Sequence, residues 1–200
     1  MMIEHTAAPR EQSRGNDSKE SVDWQVIAAC QLGDREALRT LFEVYKDRVY
    51  SIALYSLGGT ETMAADVTQQ VFVKLMTRIN QFRGQSEFTT WLYRLVVNTC
   101  LDEQRKTRRF VPLADVSIPA ISSQSPRAEY MRKELSLRVQ AAVSQLKPKL
   151  RWPILLRYVE DLSYEEIASV LGCSKGTVAS RLNRGHKALA RRLHHLRDQV

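Results

Sequence analysis

The chain has 200 residues, 44% of them hydrophobic, and a formal net charge of +8. That apolar content supports real cores in one or two domains and excludes a disordered chain. No apolar run approaches the roughly 18 residues of a membrane span, and the start, MMIEHTAAPREQSRGNDSKES, lacks the hydrophobic segment of a signal peptide.

Residues 1–21 are polar and read as a flexible tail. A short apolar-faced helix follows from Val22 to Cys30, and Gly33-Asp34 breaks and re-caps the chain. Ala37, Leu38, Leu41, Phe42, Tyr45, Val49, Ile52, Ala53 and Leu57 then recur at steps of three and four, which predicts a long amphipathic helix. Gly58-Gly59 ends it. Thr60 is placed to cap a third helix, carrying Ala64, Val67, Val71, Phe72, Leu75 and Ile79. The polar run Asn80 to Glu87 reads as a loop. Ser86 is expected to cap a fourth helix, Glu87 to about Arg108, with Trp91, Leu92, Leu95, Val96 and Leu101 along it.

From Arg109 to Arg127 the chain holds Pro112, Pro119, Pro126 and an SSQS run, which no helix survives. It reads as a flexible linker. Beyond it, Leu135, Val139, Ala142, Val143 and Leu146 form one stripe, and Pro148 opens a helix holding Ile154, Leu155 and Tyr158. No strand pattern is persuasive. The expected fold is all-α: a tail (1–21), a helical domain (22–108), a linker (109–127) and a second helical domain (128–200).

Residues 163–184, SYEEIASVLGCSKGTVASRLNR, are the most informative stretch. Ser163 and Glu166 make a capping box. Ile167, Ala168 and Leu171 face inward, Gly172 suits the positive φ of a tight turn, and Ser174 caps a second helix with Val178 and Leu182 inside. The outer face presents Lys175, Thr177, Ser180, Arg181 and Arg184, with Asn183 at its edge. Arg pairs with guanine and Asn with adenine in the major groove, while Ser and Thr bond bases or phosphates. A helix-turn-helix built this way places its second helix in that groove.

Basic charge lies in two blocks. Gly172 to Val200 has seven Lys or Arg against one Asp, and Lys74 to Arg109 has eight against three acids. Such excess favours a polyanionic partner. In the earlier block, Phe82, Phe88, Trp91 and Tyr93 alternate with Arg83, Arg94 and Arg105. Stacking surfaces between cations suit unpaired bases. Phe88 and Trp91 equally fit a core, which leaves Arg83, Gln85 and the loop backbone to touch DNA. Asn98, Asp102 and Arg105 share one helix face. Asp66, Gln69, Gln70 and Lys74 make a face of mixed charge that suits a protein partner.

Cys30, Cys100 and Cys173 are odd in number and form no CxxC pair, as expected of core thiols in a reducing cytoplasm. His186, His194 and His195 lack partners at metal-ligand spacing. There is no Gly-rich phosphate loop and no HExxH, so neither catalytic residues nor a metal or cofactor is expected.

Taken together, these stretches resemble bacterial RNA polymerase sigma factors of the extracytoplasmic-function group, over about residues 24–194. AADVTQQVFVKLM resembles the region 2 stretch that grips the β′ clamp helices. FRGQSEFTTWLYRLVVNTCLDEQRKTRR resembles the promoter-melting and −10-reading segment. LRYVEDLSYEEIASVLGCSKGTVASRLNRGHKAL resembles region 4, which reads the −35 element.

The resemblance implies that Asp66, Gln69, Gln70 and Phe72 bind core polymerase. It places Asn80, Phe82, Arg83, Gln85, Phe88, Trp91, Arg94, Asn98 and Arg105 on the −10 element. Lys175, Thr177, Ser180, Arg181, Asn183 and Arg184 fall on the −35 element. Core RNA polymerase (β′ clamp helices and β flap), promoter DNA and an anti-sigma factor are the implied partners. Gln70 stands where the family usually has Glu, and Ala179 where Lys is common. Pro153 is expected to bend its helix or move its start, and Gly185 to affect the pose of the reading helix. The competing reading is a helix-turn-helix regulator that binds duplex DNA without polymerase.

Overall fold

The computed structural model describes residues 22–58, 60–110 and 127–194. The 1–21 tail and most of the linker lie outside the described residues. Eight α-helices are present among those described: α1 (Trp24–Gln31), α2 (Arg35–Ser56), α3 (Glu61–Arg78), α4 (Phe88–Phe110), α5 (Arg127–Ser144), α6 (Pro148–Tyr158), α7 (Tyr164–Leu171) and α8 (Lys175–Leu193). A 3-10 turn, Ile79–Gln81, follows α3. The described residues contain no strand.

Local chemistry sets most of the helix ends. Asp34 accepts from the amides of Glu36 (2.8 Å) and Ala37 (3.1 Å), capping α2. Thr60 takes the N-cap position of α3 but makes no side-chain cap bond, contrary to the sequence expectation. Ser86 does not cap α4 either: its hydroxyl donates to the Glu87 carbonyl (3.3 Å). The Glu87 carbonyl also accepts the first α-helical bond, from the Trp91 amide (3.2 Å). Helix α4 reaches Phe110 and α5 begins at Arg127, so helix extends into both ends of the expected linker.

Helices α1 to α4 pack around Leu41, Tyr45, Val49, Ile52, Val67, Val71, Leu75, Leu92 and Val96, all buried. The 3.6-residue repeat of α2 and α3 puts these side chains on one face of each helix. Helices α5 to α8 close around Leu146, Trp152, Leu155, Leu156, Ile167, Val178 and Leu182. Of the predicted α5 stripe, Ala142, Val143 and Leu146 are buried, but Leu135 is exposed.

The two helical units touch, and their apolar residues form one continuous cluster. Polar groups seal the contact. Tyr93 of α4 donates to Glu160, both buried. Burial, and then the Glu160 carboxylate beside it, push the Tyr93 phenol well above its ordinary range. Arg151 of α6 is buried and donates to the carbonyls of Ser56, Ser144 and Leu146. Gln104 of α4 reaches the same Ser56 carbonyl (2.8 Å). Cys30 and Cys100 are buried free thiols, and burial pushes Cys100 up to about 11.

Helix α6 runs through Pro153 without a break, its ring buried among Trp152, Ile154 and Leu155. The helix starts at Pro148, where a missing amide removes no intrahelical bond. Gly185 has a steric purpose. A Cβ there would stand 3.0 Å from Cγ1 and 3.2 Å from Cδ1 of Ile154, so the bare backbone lets α8 lie close on α6. Gly185→Ala is expected to be near neutral, because a helix gain of about 1 kcal/mol offsets the squeeze. Gly185→Val is expected to cost roughly 1–3 kcal/mol by overpacking, with recovery on adding Ile154→Ala. Thermal unfolding of the three variants checks this.

Candidate nucleic-acid interface

Helices α7 and α8 are positioned by short-range bonds. Ser163 accepts from the Glu166 amide (3.2 Å) while the Glu166 carboxylate accepts from the Ser163 amide (2.7 Å). Gly172 takes φ 60° at the end of α7, and the Cys173 amide donates to the Ala168 carbonyl (3.0 Å). Ser174 then accepts from the Thr177 amide (3.2 Å) to start α8. Val178, Leu182 and Ala188 are buried, which turns the opposite face of α8 outward.

On that outer face Lys175, Ser180, Asn183 and Arg184 are exposed. Lys175 pairs with Glu165 and holds its carboxyl below the ordinary range. Arg184 folds over Ser180, donating to its carbonyl (3.2 Å) and its hydroxyl (3.1 Å). Arg181 is half-buried, its guanidinium 3.8 Å from the Cys173 sulfur. Thr177 is also half-buried, and its hydroxyl bonds that of Ser174 (2.9 Å), so it serves the helix start. His186 pairs with the exposed Tyr158 (2.8 Å). Among the described residues no three His, Cys, Asp or Glu side chains are grouped to hold a metal.

The loop before α4 is held by aromatic plugs. Phe82 and Phe88 are 5% and 6% exposed, so neither offers a stacking face to solvent. Their rings meet edge to face at 5.4 Å, and both contact the half-buried Trp91, at 5.7 and 5.9 Å. Phe82 and Phe88, expected on the −10 element, are thus buried here and hold the loop from inside. Between them Arg83, Gly84 and Gln85 stand exposed, with Gly84 at φ 69°. Asn80 is exposed in the preceding turn.

Helix α4 continues with Arg94, Asn98, Asp102 and Arg105 exposed along one edge. Arg105 pairs with Asp102 (3.1 Å). Arg94 lies against the second unit, donating to the carbonyl (2.9 Å) and hydroxyl (3.0 Å) of Ser169 in α7. Sequence reasoning missed the contribution of α1. Its Gln31 amide donates to the carbonyls of Ile79 (3.0 Å) and Phe82 (2.8 Å), clamping the loop's entry. The available signal was Trp24, an indole off the buried Ile27–Cys30 side of a helix only eight residues long.

Helix α3 carries a separate face. Asp66 and Gln69 are exposed, Gln70 is half-buried, and with Val73 and Lys74 they line a groove of about 370 Å³. Val73 is 59% exposed and Met76 56%, two apolar side chains that the sequence reading did not single out. Phe72 is only 7% exposed and packs edge-on against Phe42 at 4.8 Å. Phe72, expected at the polymerase, thus supports this face from beneath. Lys74 is tied to Thr99 of α4 (3.1 Å).

Two family models match these units: sigma-70 region 2 over residues 41–110, and sigma-70 region 4 over residues 136–189. Similar proteins span nearly the whole chain. The RNA polymerase sigma-H factor of Pseudomonas aeruginosa is 33% identical over 181 residues, covering 86% of this chain and 93% of the relative. The extracytoplasmic-function (ECF) factor SigW of Bacillus subtilis is 30% identical, covering 85% and 96%. The ECF sigma-E factor of Escherichia coli is 34% identical, covering 86% and 94%.

Two solved structures share the fold. CnrH, in complex with the cytosolic domain of CnrY, gives a TM-score of 0.64 at 24% identity over 86% of this chain and 96% of its own. RpoE of Bartonella quintana, in complex with the anti-sigma factor NepR, gives 0.62 at 23% identity over 78% and 96%.

The chain therefore belongs to the sigma-70 family, the class of non-catalytic subunits that direct RNA polymerase to promoters. Within that family it is an ECF sigma factor. No helix among the described residues is long and apolar enough to cross a membrane.

Proposed function

We propose that this sigma factor reads a two-part promoter, with α8 on a duplex −35 element and the loop 80–87 and exposed edge of α4 on the melted −10 strand. The observation that carries the reading is the pairing of two unlike surfaces on one chain. One is a capped reading helix with Ser180, Asn183 and Arg184 outward; the other is a plugged loop with Arg83, Gly84 and Gln85 outward. Extruding a base costs a few kcal/mol, and a base stacked on a π surface or guanidinium returns about 1–3 kcal/mol. Binding energy on the unpaired strand thus offsets the cost of opening the duplex.

In this reading Asp66, Gln69, Gln70 and Val73 of α3 face the β′ clamp helices, and the second unit meets the β flap. An anti-sigma factor holds the protein until it is released; the CnrH and RpoE structures are each complexes with a second protein.

The test is run-off transcription from a fragmented host genome by core polymerase, with and without the chain and with no inhibitor present. Discrete transcripts dependent on the chain, sharing −35 and −10 sequences, are expected. Absence of transcripts, with tight binding of the chain alone to duplex DNA, would overturn this reading in favour of a conventional regulator.

A further inference from the structure

Trp24 stands where nothing in the family match assigns a role, outside the matched residues 41–110. It is 53% exposed, in the first turn of α1. Two contacts fix its ring. The Phe82 ring lies 6.0 Å away at a tilt of 50°. At Gly84, the Cζ3 and Cη2 edge of the indole is 3.6 Å from where a Cβ would stand. The same helix sends Gln31 to the Ile79 and Phe82 carbonyls, so α1 and the loop are bonded as one piece. An indole edge therefore closes one side of the loop while the rest of the ring meets solvent, beside exposed Arg83 and Gln85.

A half-wet tryptophan next to a cation is the arrangement by which proteins hold unpaired bases, since every base has a π face. With Phe82 and Phe88 turned into the core and Trp91 half-buried against them, Trp24 is the most exposed large aromatic at this loop among the described residues. We infer that Trp24 is a stacking surface for one unpaired base of the −10 strand, with Arg83 beside it for the adjoining phosphate. This rests on the −10 assignment of loop 80–87, and the test separates the two.

Holoenzyme made from core polymerase and the full chain is titrated with a single-stranded oligonucleotide carrying the non-template −10 sequence found by run-off. Trp24→Ala is expected to weaken binding roughly tenfold, the loss of one stacked base, and Trp24→Phe to retain most of it. A series of oligonucleotides with one abasic position each locates the partner. At one position the wild-type protein loses affinity and Trp24→Ala loses nothing further. Uniform weakening by Trp24→Ala at every abasic position, with a lowered melting temperature, would overturn the inference and make Trp24 a loop support. Wild-type affinity in Trp24→Ala, with Arg83→Ala and Gln85→Ala weakened, would overturn the inference alone. If all three variants bind as wild type, the −10 assignment of the loop falls as well.

Discussion

Asp66→Ala combined with Val73→Asp is expected to abolish association with core polymerase while the chain stays folded. Asp66 is exposed and Val73 is 59% exposed, so neither change opens a cavity. Interface energy concentrates in a few central residues, each worth about 2 kcal/mol or more. A carboxylate set into an apolar contact is left unpaired and desolvated, which is costly in itself. A loss of at least roughly 100-fold in affinity follows from two such changes. Phe72 is the wrong residue to probe. It is buried against Phe42, and its truncation costs about 3–5 kcal/mol of folding stability. A competition assay for core binding, run beside thermal unfolding, distinguishes the cases. Retained association with normal unfolding removes α3 from the polymerase interface.

Arg181→Ala is the second large effect expected. The Arg181 side chain is half-buried beside Cys173, at the turn that leads into α8. A bidentate contact to a base there is worth about 1–3 kcal/mol of discrimination. Its removal should cut use of the cognate promoter about 5- to 150-fold, and relax choice at one −35 base. Lys187→Ala, on the exposed flank of α8, gives the contrast. A phosphate contact weakens all sequences alike and lowers the salt dependence by about one charge. Promoter-variant libraries transcribed by both holoenzymes separate the two. Uniform weakening by Arg181→Ala would reassign that residue to phosphate.

What could be read from the sequence divides by the range of the forces involved. The capping box of Ser163 and Glu166, the turn at Gly172 and most apolar steps of α2 and α3 are local and appear where expected, but Phe42 of the α2 stripe is 41% exposed and Ile79 falls in the 3-10 turn after α3. Competition between neighbours defeated the assignment at Ser86. A serine beside a glutamate at a helix start looks like a cap, but its hydroxyl chose the adjacent carbonyl. The aromatic–arginine alternation around Phe82 and Phe88 reads the same whether the rings plug a loop or stack on bases. Contacts from Tyr45, distant in sequence, and from the neighbouring Trp91 are what bury the rings here. Leu135 kept its helical spacing yet stays 42% exposed. The function of Gly185 depends on Ile154, thirty-one residues upstream, and no local rule connects them.

Helix α4 is a party wall. One side completes the first bundle through Leu92 and Val96, and another meets α7 through Tyr93 and Arg94. Parting the units would strip the Tyr93 hydroxyl and the Glu160 carboxylate of each other, and bury neither. One thermal transition shared by both units is therefore expected in this arrangement, although two family regions are present. Additivity between those regions is expected to fail at the wall, because Tyr93 of the first bundle and Glu160 of the second are in direct contact.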